Sequence, residues 1–504
     1  MWQLLENKKG CVLCGQELDD LLFAGIEYNM NGLIGHLSQF DGRDLFQKWL
    51  KLVRCIAEFV NMKYVLLHEE WKLLEDCRID IIHDTKKFSL LLKMLYNRFG
   101  EHVSERMKLL IMMLSSIRLA YQNNGLQGMT FISNIAEAVA FCQSKRLYYV
   151  TYLSLIRIYA KGTQRVAFLD LLNHFQYQID FNMSSITSAL HSIIGNRCID
   201  GYKAIVRDFG LEYYGIPYDQ LEGFFLEPQV MNELDILLYQ KPQLKEFATL
   251  REQQKPFSYA ELEYAIAQAE KVFDDYGIKD NLVFIEAKRM VEDIRGKFYE
   301  DYSITFTHDD FKAFCSCYPH LKLCSKSNNY FEAINERPAF FQYENCYYST
   351  VLLLIRFIEN CIYEQLRRNR RFRIKAGFVF EKKVTAMLEQ HGFESMKTKR
   401  IHNQEFDVIC MKDGCAYNFQ CKNNFLDINS ISPDNIDKVS RQNKRLVRYY
   451  IKALEKENLR TKLVQDHFNV EQVENYVVTR FPVVMNHKRL IPFNQLERWL
   501  KENL

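Results

Sequence analysis

The feature that most constrains this chain is the absence of proline from its first 216 residues. Proline removes a backbone hydrogen-bond donor and clashes with the preceding helical turn, so a stretch without it leaves long helices uninterrupted. Apolar side chains in this stretch recur every three or four residues, as an amphipathic helix requires. Two such faces are formed by Phe46, Trp49, Val53, Ile56 and Val60 and by Ile186, Leu190 and Ile193. We therefore predict a helical domain at residues 1–225.

Glycine and proline concentrate at residues 215–257, which predicts a loop-rich junction. Ser258 and Glu261 then have capping-box spacing, which predicts the start of a helix. Helices are predicted at residues 258–276, 281–298 and 349–368, with an irregular aromatic segment at 301–348. We assign residues 226–360 to a helical and irregular connecting domain.

In the C-terminal third, β-compatible runs at residues 405–410 and 416–422 are joined by an Asp-Gly turn. Such a pair between two alternating segments predicts a β-hairpin. Asp407 lies on the first predicted strand. Gln420 and Lys422 lie on the second, two residues apart, and therefore share a face. We expect a carboxylate, an amide oxygen and an ammonium group to converge at one place.

This combination of groups is suited to Mg²⁺. The ion prefers hard oxygen ligands and usually takes only one or two carboxylates, keeping water and substrate phosphate in its remaining positions. Asp407 provides the carboxylate, and either the Gln420 amide oxygen or the Cys421 backbone carbonyl provides a second ligand. Lys422 is placed to orient or deprotonate a water molecule, or to stabilise charge on a phosphate. The predicted cofactor is Mg²⁺, for which Mn²⁺ can substitute.

The ordered motifs resemble those of the PD-(D/E)xK nuclease superfamily, which has the restriction-endonuclease-like fold. The similarity is to the Q-x-K variant of Mrr-like restriction endonucleases, in which glutamine replaces the second acid. Upstream, the segment from Ala376 to Glu381 opens a predicted helix that resembles the first helix of the family, which carries a glutamate. Phe406 stands where the family has a proline. The resemblance covers about the last 130 residues.

Together with the helices predicted above, the resemblance implies a multidomain protein with a mainly α-helical N-terminal region and a C-terminal α/β domain. That domain, at residues 361–504, would be a mixed sheet flanked by helices. Asp407 would be the main metal ligand, Glu381 the helix acid near the metal, and Gln420 with Lys422 the Q-x-K pair. The implied reaction is Mg²⁺-dependent hydrolysis of phosphodiester bonds, of DNA first and of RNA as the alternative. Restriction, repair and anti-phage defence are the implied settings.

The charge distribution also favours a polyanionic partner for the C-terminal domain. Residues 361–504 contain 27 lysines and arginines against 17 acidic residues, whereas the rest of the chain is net acidic. A basic domain on an acidic body is typical of a protein that binds a phosphate backbone.

Two basic segments are candidates for that contact. The run at 367–375, which includes Arg370 and Arg371, is either a solvated linker or a phosphate-binding segment. A helix is predicted at 437–454, followed by a strand at 476–484 and a helix at 494–500. On the first of these helices a basic stripe without intervening acids is formed by Lys438, Arg441, Arg445 and Arg448.

The 14 cysteines are scattered, as is typical of reduced thiols in a cytosolic protein. Cys11 and Cys14 have half of a zinc-site spacing, and the remaining ligands would have to come from Cys315, Cys317, His320 or Cys324. No secretory signal is visible, and no apolar run reaches the roughly 18 residues of a membrane-spanning helix. We expect a cytoplasmic protein that does not contact a membrane.

Two other classes of function remain open. One is a nucleic-acid-binding or scaffold protein whose nuclease-like domain is inactive. The other is a helical protein-interaction module with a basic docking domain, in which the N-terminal region binds a protein partner or forms an oligomer.

Overall fold

The computed structural model describes residues 8–79, 85–126, 131–208, 210–215, 280–295, 303–366, 368–398, 400–424, 432–480 and 483–503, with a few positions between 262 and 274. Its N-terminal part is mainly helical. The α-helices are α1 (Gly15–Leu37), α2 (Gly42–Val65), α3 (His68–Asp76), α4 (Thr85–Phe99), α5 (Glu101–Asn123), α6 (Ile135–Tyr159), α7 (Leu171–Tyr177) and α8 (Ser184–Cys198). A 3₁₀ turn at Phe168–Asp170 and a π-helical segment at Gln178–Met183 flank α7.

These helices form as the apolar periodicity predicts. The Asp41 carboxylate caps α2 by accepting from the Arg43 and Asp44 backbone N–H groups, and Asn134 caps α6 in the same way. All eight residues of the two predicted apolar faces are buried. In the part of the chain that the structure describes, no helix is long and apolar enough to cross a membrane.

A small antiparallel sheet also belongs to this region and was not predicted. Its strands are β1 (Val12–Leu13), β2 (Lys203–Arg207) and β3 (Gly210–Tyr214). The short β1 pairs with β2, far away in the sequence, and such a long-range pairing leaves little trace in local periodicity. The helical description of residues 1–225 is therefore correct in the main but omits this sheet.

The connecting region contains a second sheet where an irregular segment was predicted. Its elements are α9 (Leu282–Arg295), β4 (Ser303–Thr307), α10 (His308–Ser316), α11 (Tyr330–Asn335), β5 (Phe341–Tyr343), β6 (Cys346–Thr350) and α12 (Val351–Leu366). The strands pair antiparallel in the order β4-β6-β5. The prediction of an irregular segment is wrong because aromatic side chains, among them Phe306, Phe311 and Tyr347, stack between the sheet and α10. The predicted cap at Ser258 lies outside the described residues.

The C-terminal region is a mixed sheet with helices on both faces. Its elements are α13 (Arg370–Gln390), β7 (Glu394–Met396), β8 (Arg400–Ile401), β9 (Gln404–Glu405), β10 (Val408–Lys412), β11 (Cys415–Lys422), α14 (Ile436–Leu459), α15 (Thr461–Phe468), β12 (Val473–Thr479), β13 (Leu490–Pro492) and α16 (Phe493–Asn503). The strand order is β13-β12-β11-β10-β7. Strand β10 is antiparallel to both β7 and β11, whereas β11, β12 and β13 run parallel.

Side-chain alternation along the strands divides this region into two faces. On one face Phe419 packs with Phe380 of α13 and with Leu496 of α16. On the other face the β12 residue Val477 packs with Tyr450 and Leu454 of α14. Leu446, Val447 and Ile451 of α14 pack against the same cluster, whereas Val439 packs into the helical N-terminal core.

Candidate metal and nucleic-acid site

The hairpin predicted from the Asp-Gly pair is present. Strand β10 ends at Lys412 and β11 begins at Cys415, so the turn has two central residues. Asp413 and Gly414 have φ values of 51° and 76°. Positive φ at both central positions is the property of a type I′ turn, whose twist matches that of the flanking strands.

Asp407 lies one residue before β10, whereas the sequence placed it on the strand. The register pairs Val408 with Phe419, which brings Asp407 opposite Gln420. The ladder between the two strands has ended at this point, because Asp407 leaves the strand and turns its carboxylate towards β11. Asp407 Oδ2 accepts a hydrogen bond from the Cys421 backbone N–H at 2.8 Å and another from the Gln420 side-chain amide.

The Cys421 backbone faces Asp407 with both of its polar groups. In an extended strand the N–H and C=O of one residue point to the same side. Because the Cys421 N–H binds Asp407, its carbonyl oxygen is directed to that side as well. The backbone polar groups of Lys422 point to the opposite side, towards β12. The Lys422 carbonyl accepts a hydrogen bond from the Arg480 N–H there. The Cys421 carbonyl therefore lies on the same side of β11 as the Asp407 carboxylate.

Lys422 extends from the same face of β11 as Gln420, towards α14. Its ammonium lies over the ring of Tyr449 on α14, 5.8 Å from the ring centre. This contact places the site between the hairpin and the middle of α14.

Glu381 approaches from α13, on the opposite face of the sheet. The helix begins at Arg370, so Glu381 lies about three turns inside it and does not follow the helix start as predicted. Burial raises the pKa of the Cys421 thiol well above its usual value, and the negative charges of Asp407 and Glu381 raise it further, while Lys422 opposes them. Both carboxylates and the ammonium therefore act on a single point in the sheet.

The residues present fit a hard divalent cation. Asp407, Glu381, the Gln420 amide and the Cys421 carbonyl are all oxygen donors, and two carboxylates against one ammonium leave the site net negative. Rotation of the Gln420 amide would exchange the N–H that now donates to Asp407 for its oxygen. Among the described residues, no group of three or more His, Cys, Asp or Glu side chains is arranged to hold a metal. A magnesium site with one or two carboxylates does not need such a group.

The alternative zinc ligands are not assembled. Cys11 and Cys14 are exposed thiols on either side of β1. His320 instead pairs with Glu286, Nδ1 to Oε1 at 2.5 Å. Burial raises the pKa of the Cys324 thiol to about 11, which disfavours the thiolate that zinc requires.

All six predicted nucleic-acid-binding residues are exposed on helices. Four of them lie along the outer face of α14: Lys438, Arg441, Arg445 and Arg448. Arg370 and Arg371 form the first turn of α13, where the Asn369 side chain caps the helix, so this part of the basic run is helical. Positive charge in a first helical turn opposes the helix dipole. The interaction of these arginines with the helix dipole therefore does not stabilise α13.

Sequence reasoning missed two features beside the site. Tyr449 was not recognised, although it lies within the basic stripe. A buried polar network also joins β11, β12 and α14: Asn418 donates to Asn475 at 2.9 Å and to Glu457 at 3.1 Å, and Glu457 pairs with Arg460. The sequence contained a signal for this network, since the polar residues at 418, 420 and 422 share one face of the strand.

Comparison with models of known families, with curated proteins and with solved structures found no match to this chain.

Proposed function

We propose that this protein is a metal-dependent nuclease that hydrolyses phosphodiester bonds, of DNA in the first instance. The observation that carries the proposal is the position of the Asp407 carboxylate at the open end of the hairpin. It lies against the Gln420 side chain and the Cys421 backbone, with Lys422 next along the strand. Oxygen donors and a cation at the end of two strands are what metal-assisted attack on a phosphate needs.

The order of elements supports the same assignment. A helix that carries Glu381 is followed by β7, the hairpin and α14, which is the order expected from the PD-(D/E)xK resemblance. The exposed basic residues of α13 and α14 lie on the helices that also border the site. Arg445 and Arg448 of α14 flank Tyr449, which contacts Lys422, so a nucleic-acid backbone held by α14 would pass close to Lys422.

The chemistry divides among the residues of this chain. Asp407 and Glu381 would hold Mg²⁺ with the Gln420 amide oxygen and the Cys421 carbonyl, and the ion would supply Lewis-acid activation of water and phosphate. Lys422 is placed to orient the attacking water and to stabilise the negative charge that develops on the phosphate oxygens. Tyr449 limits the positions open to the Lys422 ammonium through their contact.

The test is cleavage of plasmid and single-stranded DNA at increasing Mg²⁺ concentration. Asp407→Ala should lower the cleavage rate by about a hundredfold or more and weaken the dependence on metal. Lys422→Ala should lower the rate to a similar extent while metal binding is retained, since its contribution is made in the transition state. Asp466→Ala removes an exposed aspartate of α15 as a matched control and should cleave normally. Normal cleavage by Asp407→Ala would exclude the hairpin as the catalytic site.

A second candidate is a nucleic-acid-binding protein without nuclease activity. It is favoured by the Asp407 hydrogen bonds, because Oδ2 accepts from both Gln420 and Cys421 and these donors compete with a cation for the same oxygen. Binding of DNA that depends on salt, without cleavage in Mg²⁺ or Mn²⁺, would support this candidate over the nuclease.

A further inference from the structure

Tyr449 is an exposed aromatic residue on the otherwise basic outer face of α14. It is 49% exposed, whereas the next residue, Tyr450, is fully buried against the sheet and fixes the rotation of the helix. Arg445, Arg448 and Lys452 are exposed within one turn of it. The cations can contact phosphates, and the ring adds a flat π-surface beside them.

The ring stands at the edge of the proposed catalytic site. The Lys422 ammonium lies 5.8 Å from its centre, and Lys422 is two residues from Gln420, which binds Asp407. A nucleotide whose phosphate reaches Asp407 and Lys422 would carry a neighbouring base to within reach of Tyr449.

We propose that Tyr449 stacks on an unpaired base beside the scissile phosphate, and that the preferred substrate is single-stranded or locally unpaired nucleic acid. This inference rests on the proposed function and specifies its substrate. Proteins that bind single strands combine a basic groove with aromatic rings, because every base offers a π-face. A paired base inside a duplex is already covered on both faces by its neighbours and cannot stack on Tyr449 without being unpaired.

Two roles of the Tyr449 ring can be distinguished by experiment: stacking on a base, and holding the Lys422 ammonium in place. If the ring only held Lys422, its removal would slow cleavage of single-stranded and duplex DNA alike and would leave binding intact. If the ring stacks on a base, its removal weakens binding of the single strand specifically. Tyr449→Phe keeps the ring, and Tyr449→Leu replaces it with an apolar side chain.

The experiment uses the full chain carrying Asp407→Ala, so that binding is measured without cleavage. The probes are a single-stranded DNA oligonucleotide containing 2-aminopurine and the duplex of the same sequence. Tyr449→Leu should weaken single-strand binding by roughly tenfold, remove the fluorescence change of the probe and leave duplex affinity within about twofold. Tyr449→Phe should bind as the parent does. Tyr96→Leu, an equally exposed tyrosine on α4, is the matched control and should change nothing.

If the parent protein cleaves DNA, two results for Tyr449→Leu would overturn the inference while the proposed function stands. One is an equal decrease in affinity for both probes, and the other is no decrease for either probe. If the parent does not cleave DNA and the Asp407→Ala protein binds neither probe, the proposed function fails and the inference fails with it.

Discussion

At the residue scale, the site depends on which atoms surround Asp407. Its Oδ2 accepts two hydrogen bonds, from the Gln420 amide and the Cys421 N–H. Glutamine at 420 can therefore serve the proposed site in two ways: its amide N–H donates to Asp407, and its amide oxygen would be a metal ligand after rotation. An ionised glutamate could fill only the second role.

This gives a prediction for Gln420→Glu. Without metal, two carboxylates would then face each other, so the introduced carboxyl should have a raised pKa and the variant should be less stable than the parent at neutral pH. Because the folded-state pKa is raised, the deficit should shrink as the pH falls and the introduced group is protonated. Added Mg²⁺ should also restore stability, since the cation binds the folded state. Thermal unfolding with and without Mg²⁺ measures both effects.

The matched control is Gln420→Met, which removes the hydrogen bond without adding charge. Its stability should not respond to Mg²⁺ more than that of the parent does. An equal response of both variants to the cation would mean that no metal binds beside residue 420.

At the scale of the element, α14 does two things with two faces. Tyr450 and Leu454 are buried and hold the helix on the sheet. The opposite face carries exposed cations from Lys438 to Lys452, about 20 Å of helix at 1.5 Å per residue. Such a length can follow several phosphates of one strand.

We predict that Arg441→Ala combined with Arg445→Ala weakens DNA binding about evenly across sequences. Removal of each cation that binds a phosphate should reduce the slope of log affinity against log salt by about 0.9 for duplex DNA and about 0.7 for a single strand. Fluorescence anisotropy at several salt concentrations measures the slope. The control is Arg498→Ala with Lys501→Ala, which removes equal charge from α16, where both cations already pair with glutamates. Unchanged affinity at low salt for the α14 variant would make the stripe a solvated surface.

At the scale of the whole molecule, α14 also joins the sheet domain to the helical region. Its first turns dock on α8: Arg197 of α8 pairs with Asp437 and with Asp19 of α1, and the Cys198 thiol contacts the Ser440 carbonyl. Ile436 and Val439 are buried in the large N-terminal core. The helix that borders the proposed site is therefore held by both regions.

We predict that Ile436→Ala loosens the sheet domain from the helical region. Truncation of this buried side chain should cost about 2–5 kcal/mol. Hydrogen–deuterium exchange in increasing denaturant should show β11 and β12 losing protection before α8, whereas in the parent protein they lose it together. Leu496→Ala, equally buried but inside the sheet domain alone, should destabilise the sheet while the docking of α14 on α8 keeps its protection. Identical profiles for Ile436→Ala and Leu496→Ala would refute this coupling.

Much of the local structure was readable from the sequence. The long helices follow from apolar spacing without proline, because a helix places every third and fourth residue on one face. The hairpin follows from Asp413 and Gly414, which tolerate positive φ, and with it the common face of Gln420 and Lys422. Helix ends were less accurate, and the start of α13 was set by the Asn369 cap rather than by the apolar pattern.

Tertiary structure alone decided how these pieces meet. In the small N-terminal sheet β1 pairs with β2, and in the connecting region β4 pairs with β6, across long separations that no local pattern records. The approach of Glu381 from the far face and the contact of Lys422 with Tyr449 arise from the packing of α13 and α14 on the sheet. The sequence by itself determined which chemical groups were available and on which elements. The packing decided which of them share a site, because that depends on distances between segments that lie far apart in the chain.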